Sequence, residues 1–82
     1  MTNRLYNCTY RDVTDFLKEN GFDFFEQLKG SHEAWIKLGH DDEPDRIVEV
    51  NFSHRSYPLK TLRKMIKQSG IDQDEWIAWA NF

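Results

Sequence analysis

The stretch KGSHEAWIKL, residues 29–38, sets a glycine-containing turn directly before a run that alternates in character. Alternation with a period of two marks a strand with one buried face, because successive side chains of a strand point to opposite sides. This reading turns Ala34, Ile36 and Leu38 to one side, toward a core, and Glu33, Trp35 and Lys37 to the other, which leaves Trp35 half exposed. Just before the turn, FDFFEQL (22–28) is rich in strand formers. The two segments therefore make a hairpin, with Gly30 free to take the positive φ that such a loop needs.

Outward from the hairpin, the rest of the chain falls into place on both sides. Thr9 and Asp12 have the spacing of a capping box, and Tyr10, Val13, Phe16 and Leu17 recur at helical intervals before the stop signal Asn20-Gly21. The spacing predicts a helix over roughly 10–20, with Asp12 and Lys18 at the ends the helix dipole favours. After the hairpin, GHDDEPD (39–45) has turn chemistry and RIVEVNF (46–52) reads as a third strand with Val48, Val50 and Phe52 on one face. Ser56 or Tyr57 then precedes a helix whose first turn holds Pro58 and whose apolar stripe is Leu59, Leu62, Met65 and Ile66, ending at Ser69-Gly70. Asp72 and Glu75 open a short last helix carrying Trp76, Ile77, Trp79 and Ala80, with both tryptophans expected to pack. The fold class is α+β, ordered α-β-β-β-α with a short extra C-terminal helix. Its three-stranded antiparallel sheet has helices on one face and the other face open, and 1–82 is read as one domain.

Composition narrows the function. With 82 residues, the chain has room for one core. A lone cysteine, Cys8, forms no disulfide framework, and no zinc-like Cys/His spacing occurs. The sequence has no apolar leader and no run of roughly 18 apolar residues, so a cytoplasmic protein with no membrane partner is expected. The net charge of −3 hides an uneven distribution. Between Ser53 and Ser69 stand Arg55, Lys60, Arg63, Lys64 and Lys67 without one acid, which suits a phosphate-binding face on an acidic molecule. Read blandly, the same lysines only solvate a helix.

Three stretches in order, LKENGF (17–22), KGSH (29–32) and TLRKMIKQSGI (61–71), resemble the HicA-type mRNA interferase toxins of toxin–antitoxin modules. The resemblance spans about residues 12–71. It implies a fold similar to a double-stranded-RNA-binding domain and a metal-independent endoribonuclease with no cofactor. It further implies a catalytic histidine at His32, mRNA as substrate, and a HicB-like antitoxin as the inhibiting partner, with oligomers arising only through that complex.

The chemistry of the residues is compatible with this. RNA carries its own nucleophile in the 2′-hydroxyl, and a histidine, with an unperturbed pKa near 6.5, can move the necessary proton at neutral pH. His32 is the group placed to do so as base or acid; Gly30 and Ser31 shape its turn and offer backbone N–H groups to an anion. Lys29, Lys37 and Arg55 are the cations that could reach a bound phosphate, with no means of choosing among them. His54, beside Arg55, is a phosphate binder or a second proton-transfer group. Lys60, Arg63, Lys64 and Lys67 would bind the RNA backbone, and Trp35 would offer a stacking surface. Glu33 has no assigned role. The cluster His40, Asp41, Asp42, Glu43 and Asp45 lacks a calcium-loop pattern and reads as a solvated turn. A non-catalytic RNA-binding or protein-interaction module of the same fold is the competing reading.

Overall fold

In the computed structural model, residues 8–80 are described. The elements are α1 (Tyr10–Glu19), β1 (Asp23–Gln27), β2 (His32–Lys37), β3 (Arg46–Asn51), α2 (Leu59–Ser69) and α3 (Gln73–Ala80). The order and the α+β class follow the sequence reading. The first helix starts on a complete capping box: Thr9 Oγ1 accepts from the Asp12 N–H at 3.2 Å while Asp12 Oδ2 accepts from the Thr9 N–H at 3.1 Å. Pro58 sits one place earlier than expected, as the N-cap of α2 rather than inside its first turn. Its fixed φ and missing N–H suit either place.

The sheet has the order β1-β2-β3, both pairs antiparallel, so β2 is the central strand. Trp35 lies opposite Val48 and Glu33 opposite Val50. That register puts Trp35, Val48 and Val50 on one face, where they join Val13, Phe16, Leu17, Leu62, Met65, Ile66 and Trp76 in the core. Each large apolar side chain buried here contributes roughly 1.5–3 kcal/mol. A slip of one residue would turn the whole set outward, so the register is firmly specified.

Two expectations are corrected by this face. Trp35 is 4% exposed, not half exposed, and a ring closed off in the core offers no surface for a base to stack on. Ala34 and Ile36 lie on the face opposite Trp35, where Ala34 is still buried at 5% exposed, and Leu38, just past the end of β2, is 64% exposed. The physical reason is that the indole outweighs the smaller set, since an aromatic side chain buries 150–250 Å². Its polar neighbours on that face are also accommodated. Glu33 accepts hydrogen bonds from the Tyr10 hydroxyl at 2.8 Å and from Trp35 Nε1 at 3.1 Å. Lys37 lays its methylenes near Gly21 at the strand's end, and Lys18 stands over the Trp35 ring, 5.7 Å from its centroid.

Phe52 also departs from expectation. The third strand ends at Asn51, whose Oδ1 accepts from the N–H and the hydroxyl of Ser53 at 2.8 and 2.7 Å, and the chain turns before Phe52 can join Val48 and Val50 inside. Trp76 and Trp79 pack on Phe16, with ring centroids 4.2 and 5.5 Å away. The final helix thus closes the core against α1.

Candidate active site

His32 is the first residue of the central strand, and its backbone is tied from both sides. Its carbonyl accepts the Leu28 N–H at 2.8 Å, and the carbonyl of Ser31 accepts the Phe52 N–H at 2.8 Å. Gly30 takes φ +73° in the preceding turn, as the hairpin requires. The strand therefore presents the imidazole from a fixed base. Because Trp35 faces the core, His32 faces the other way, with Glu49 and Asn51 of the neighbouring strand on its side of the sheet.

On that side, His32 Nδ1 stands 2.9 Å from Glu49 Oε1. A carboxylate only accepts, so the neutral ring must carry its proton on Nδ1, which leaves the Nε2 lone pair free. Both side chains are about two-fifths exposed, and such a pair adds little to stability. Its consequence is orientation. Glu49 is the residue that sequence reasoning missed: alternation with Val48 and Val50 sets it on the outer face, but only the strand register places it beside His32.

The second helix runs along the free edge of β3, where Gln68 Oε1 accepts the Glu49 N–H at 3.0 Å. Between helix and strand lies a cleft of about 260 Å³ lined by His32, Glu49, Asn51, His54, Lys60, Thr61, Lys64 and Met65. His54 comes from the 52–58 loop, which is held at its start by the Asn51–Ser53 bonds and at its end by Tyr57, whose hydroxyl donates to the Asn51 carbonyl at 2.6 Å. The His54 ring lies against Tyr57 with centroids 5.9 Å apart. Burial pushes the Tyr57 phenol well above its ordinary range, with Tyr10 and Glu33 adding to the shift, so its hydroxyl remains a donor at any physiological pH.

The structure sorts the expected residues. His32, His54, Lys60 and Lys64 converge on the cleft. Arg63 and Lys67 are exposed on the same helix and, with Lys60 and Lys64, occupy i, i+3, i+4 and i+7, one continuous stripe roughly 10 Å long. Lys29 and Arg55 are exposed but do not line the cleft. Lys37 is at the far end of β2, opposite Arg46, in a separate cleft of about 290 Å³ with Glu43 and Gly70. Five residues of strand put it roughly 16 Å from His32, and its side chain leaves the other face. It does not share a phosphate with His32.

Among the described residues, no group of three or more His, Cys, Asp or Glu is arranged to hold a metal ion, and no helix is long and apolar enough to cross a membrane. What the cleft assembles is a tautomer-fixed imidazole, a second imidazole and two ammonium groups. That set can transfer protons and hold an anion.

Comparison with known proteins identifies the family of the chain. The family model described as HicA toxin of bacterial toxin-antitoxin matches residues 10–71, from the first residue of α1 to just beyond α2. The match takes in every residue that lines the cleft. No curated protein and no solved structure matches the chain. With three quarters of its length covered in this way, the chain belongs to the HicA toxin family, the toxin side of bacterial toxin–antitoxin modules.

Proposed function

We propose that the protein is a metal-independent endoribonuclease that cleaves mRNA in the cytoplasm and is silenced by a HicB-type antitoxin. The observation that carries this reading is the 2.9 Å contact between His32 Nδ1 and Glu49, made at the mouth of a cleft that also receives Lys60 and Lys64. The RNA backbone would lie along the stripe of Lys60, Arg63, Lys64 and Lys67, which supplies local positive charge to a chain of net charge −3.

The reaction follows from the substrate's own chemistry. When the 2′-hydroxyl loses its proton in line with the adjacent phosphorus, O2′ bonds to phosphorus and the P–O5′ bond breaks. The products are a 2′,3′-cyclic phosphate and a 5′-hydroxyl. His32 is the proton-transfer group, a role worth about 10²–10⁴-fold in rate. Lys60 and Lys64 stabilise the charge that grows on the non-bridging oxygens. Glu49 positions the imidazole without touching RNA.

Purified protein is incubated with RNA in a chelating buffer and the new ends are identified. The expected result is cyclic-phosphate and 5′-hydroxyl ends, growth arrest on expression, and relief of both by co-expression of a HicB-type antitoxin. Binding of RNA without cleavage by the folded protein would instead support the non-catalytic module.

A further inference from the structure

The cleavage step requires two proton movements, one off the 2′-hydroxyl and one onto the departing 5′-oxygen. A single imidazole serves both only by carrying the same proton from one oxygen to the other. The cleft contains a second imidazole. His54 lines the same cavity as His32 but arrives from a different element, the loop after β3. Its ring rests against Tyr57 and makes no hydrogen bond to a described residue, so both of its nitrogens are open to a substrate. His32, by contrast, has Nδ1 engaged by Glu49 and only Nε2 open.

We infer that the two histidines divide the reaction, His32 as the base and His54 as the acid. The inference rests on the endoribonuclease reading above and assigns a second catalytic residue to it. His32 Nε2 takes the proton from the 2′-hydroxyl as O2′ bonds to phosphorus. Protonated His54 gives its proton to O5′ as the P–O5′ bond breaks. The ring pair ends with its charges exchanged, and proton exchange with water restores it. The asymmetry comes from Glu49, which fixes His32 in the tautomer whose free nitrogen accepts. The other charged groups facing the cleft are Lys60 and Lys64 from α2. They hold the phosphate between the two rings.

The test uses RNA in which sulfur replaces the bridging 5′-oxygen at the cleaved linkage. A thiolate leaves without a proton, so the acid becomes dispensable and the base does not. His54→Gln is expected to slow cleavage of ordinary RNA by about 10²–10⁴-fold and to cut the thio-substrate nearly as fast as the unaltered protein does. His32→Ala is expected to be slow on both. The pH profile gives a second readout: the unaltered protein loses rate on the acid side through its base and on the alkaline side through its acid, and His54→Gln should lose only the alkaline fall. Rescue of His32→Ala instead of His54→Gln, equal impairment of His54→Gln on both substrates, or an unchanged alkaline limb would overturn the assignment. If the unaltered protein cuts neither substrate, the endoribonuclease reading itself falls, and the division of labour with it.

Discussion

Two glutamates on neighbouring strands show what the two faces of this sheet are for. Glu33 is next to His32 in sequence yet points to the opposite side, where one of its oxygens accepts from both Tyr10 and Trp35. Glu49 is distant from His32 in sequence, on the next strand, and meets its ring at 2.9 Å. The core-facing carboxylate holds α1 to the sheet. The outward carboxylate orients a histidine. Adjacency in sequence is a poor guide to partnership in a strand, and the inner face carries stability while the outer one is free for chemistry.

The largest expected effect that could break this division is on activity. His32→Ala should lower RNA cleavage by about 10²–10⁴-fold while shifting stability by no more than about 0.5 kcal/mol, as for other half-exposed sites. Glu49→Ala should give a smaller loss of the same kind, and Glu49→Gln, which keeps an acceptor oxygen, should recover part of it. Cleavage rates beside thermal melts check both. A Glu49→Ala protein as active as the unaltered one would remove its positioning role.

Glu33 should behave in the reverse way. Glu33→Ala strands a phenol and an indole N–H that are part-buried, a loss of about 1–3 kcal/mol in stability, seen as a melting temperature lower by several degrees. Cleavage per folded molecule should change far less than stability does. A Glu33→Ala protein that melts normally but fails to cut RNA would erase the distinction between the two carboxylates.

The sequence reading reached the element order because its signals are local: a capping box at Thr9, a positive-φ glycine at Gly30, an apolar stripe from Leu62 to Ile66. It missed the phase of β2 because both alternating sets are partly apolar, and only the competition for the core decides between Trp35 and the Ala34–Ile36 pair. His32 was legible as a candidate through its turn and its company. Glu49 was not, since its meeting with His32 depends on the pairing of β2 with β3. Lys37 was misplaced for a related reason: it shares a strand with His32 but neither its end nor its face.

A smaller effect concerns the basic stripe. Replacing Lys60 and Lys64 together by alanine should weaken binding of single-stranded RNA and reduce the slope of log affinity against log salt by about 1.4, at roughly 0.7 per lost phosphate contact. Titrations at several salt concentrations measure this. The same double change at Lys29 and Lys37, which lie off the cleft, should leave the slope nearly as it was.

The smallest effect lies at high pH. Burial, together with the hydrogen bond to Glu33 and its negative charge, pushes the Tyr10 phenol up to about 12. The unfolded chain loses this proton near 10, so the neutral phenol favours the folded state below that pH, and the contribution drains away as pH rises from about 10 toward 12. Denaturant unfolding across this window should show falling stability, and Tyr10→Phe should make the fall shallower.

The most direct test of the account is to give the purified protein matched RNA and DNA strands in chelator, beside its His32→Ala variant, and to read the ends formed. The account expects RNA alone to be cut, to 2′,3′-cyclic phosphate and 5′-hydroxyl ends, with the activity gone in a His32→Ala protein that still melts like the original. Cleavage of DNA as readily as RNA, or undiminished RNA cleavage by the folded variant, would contradict it.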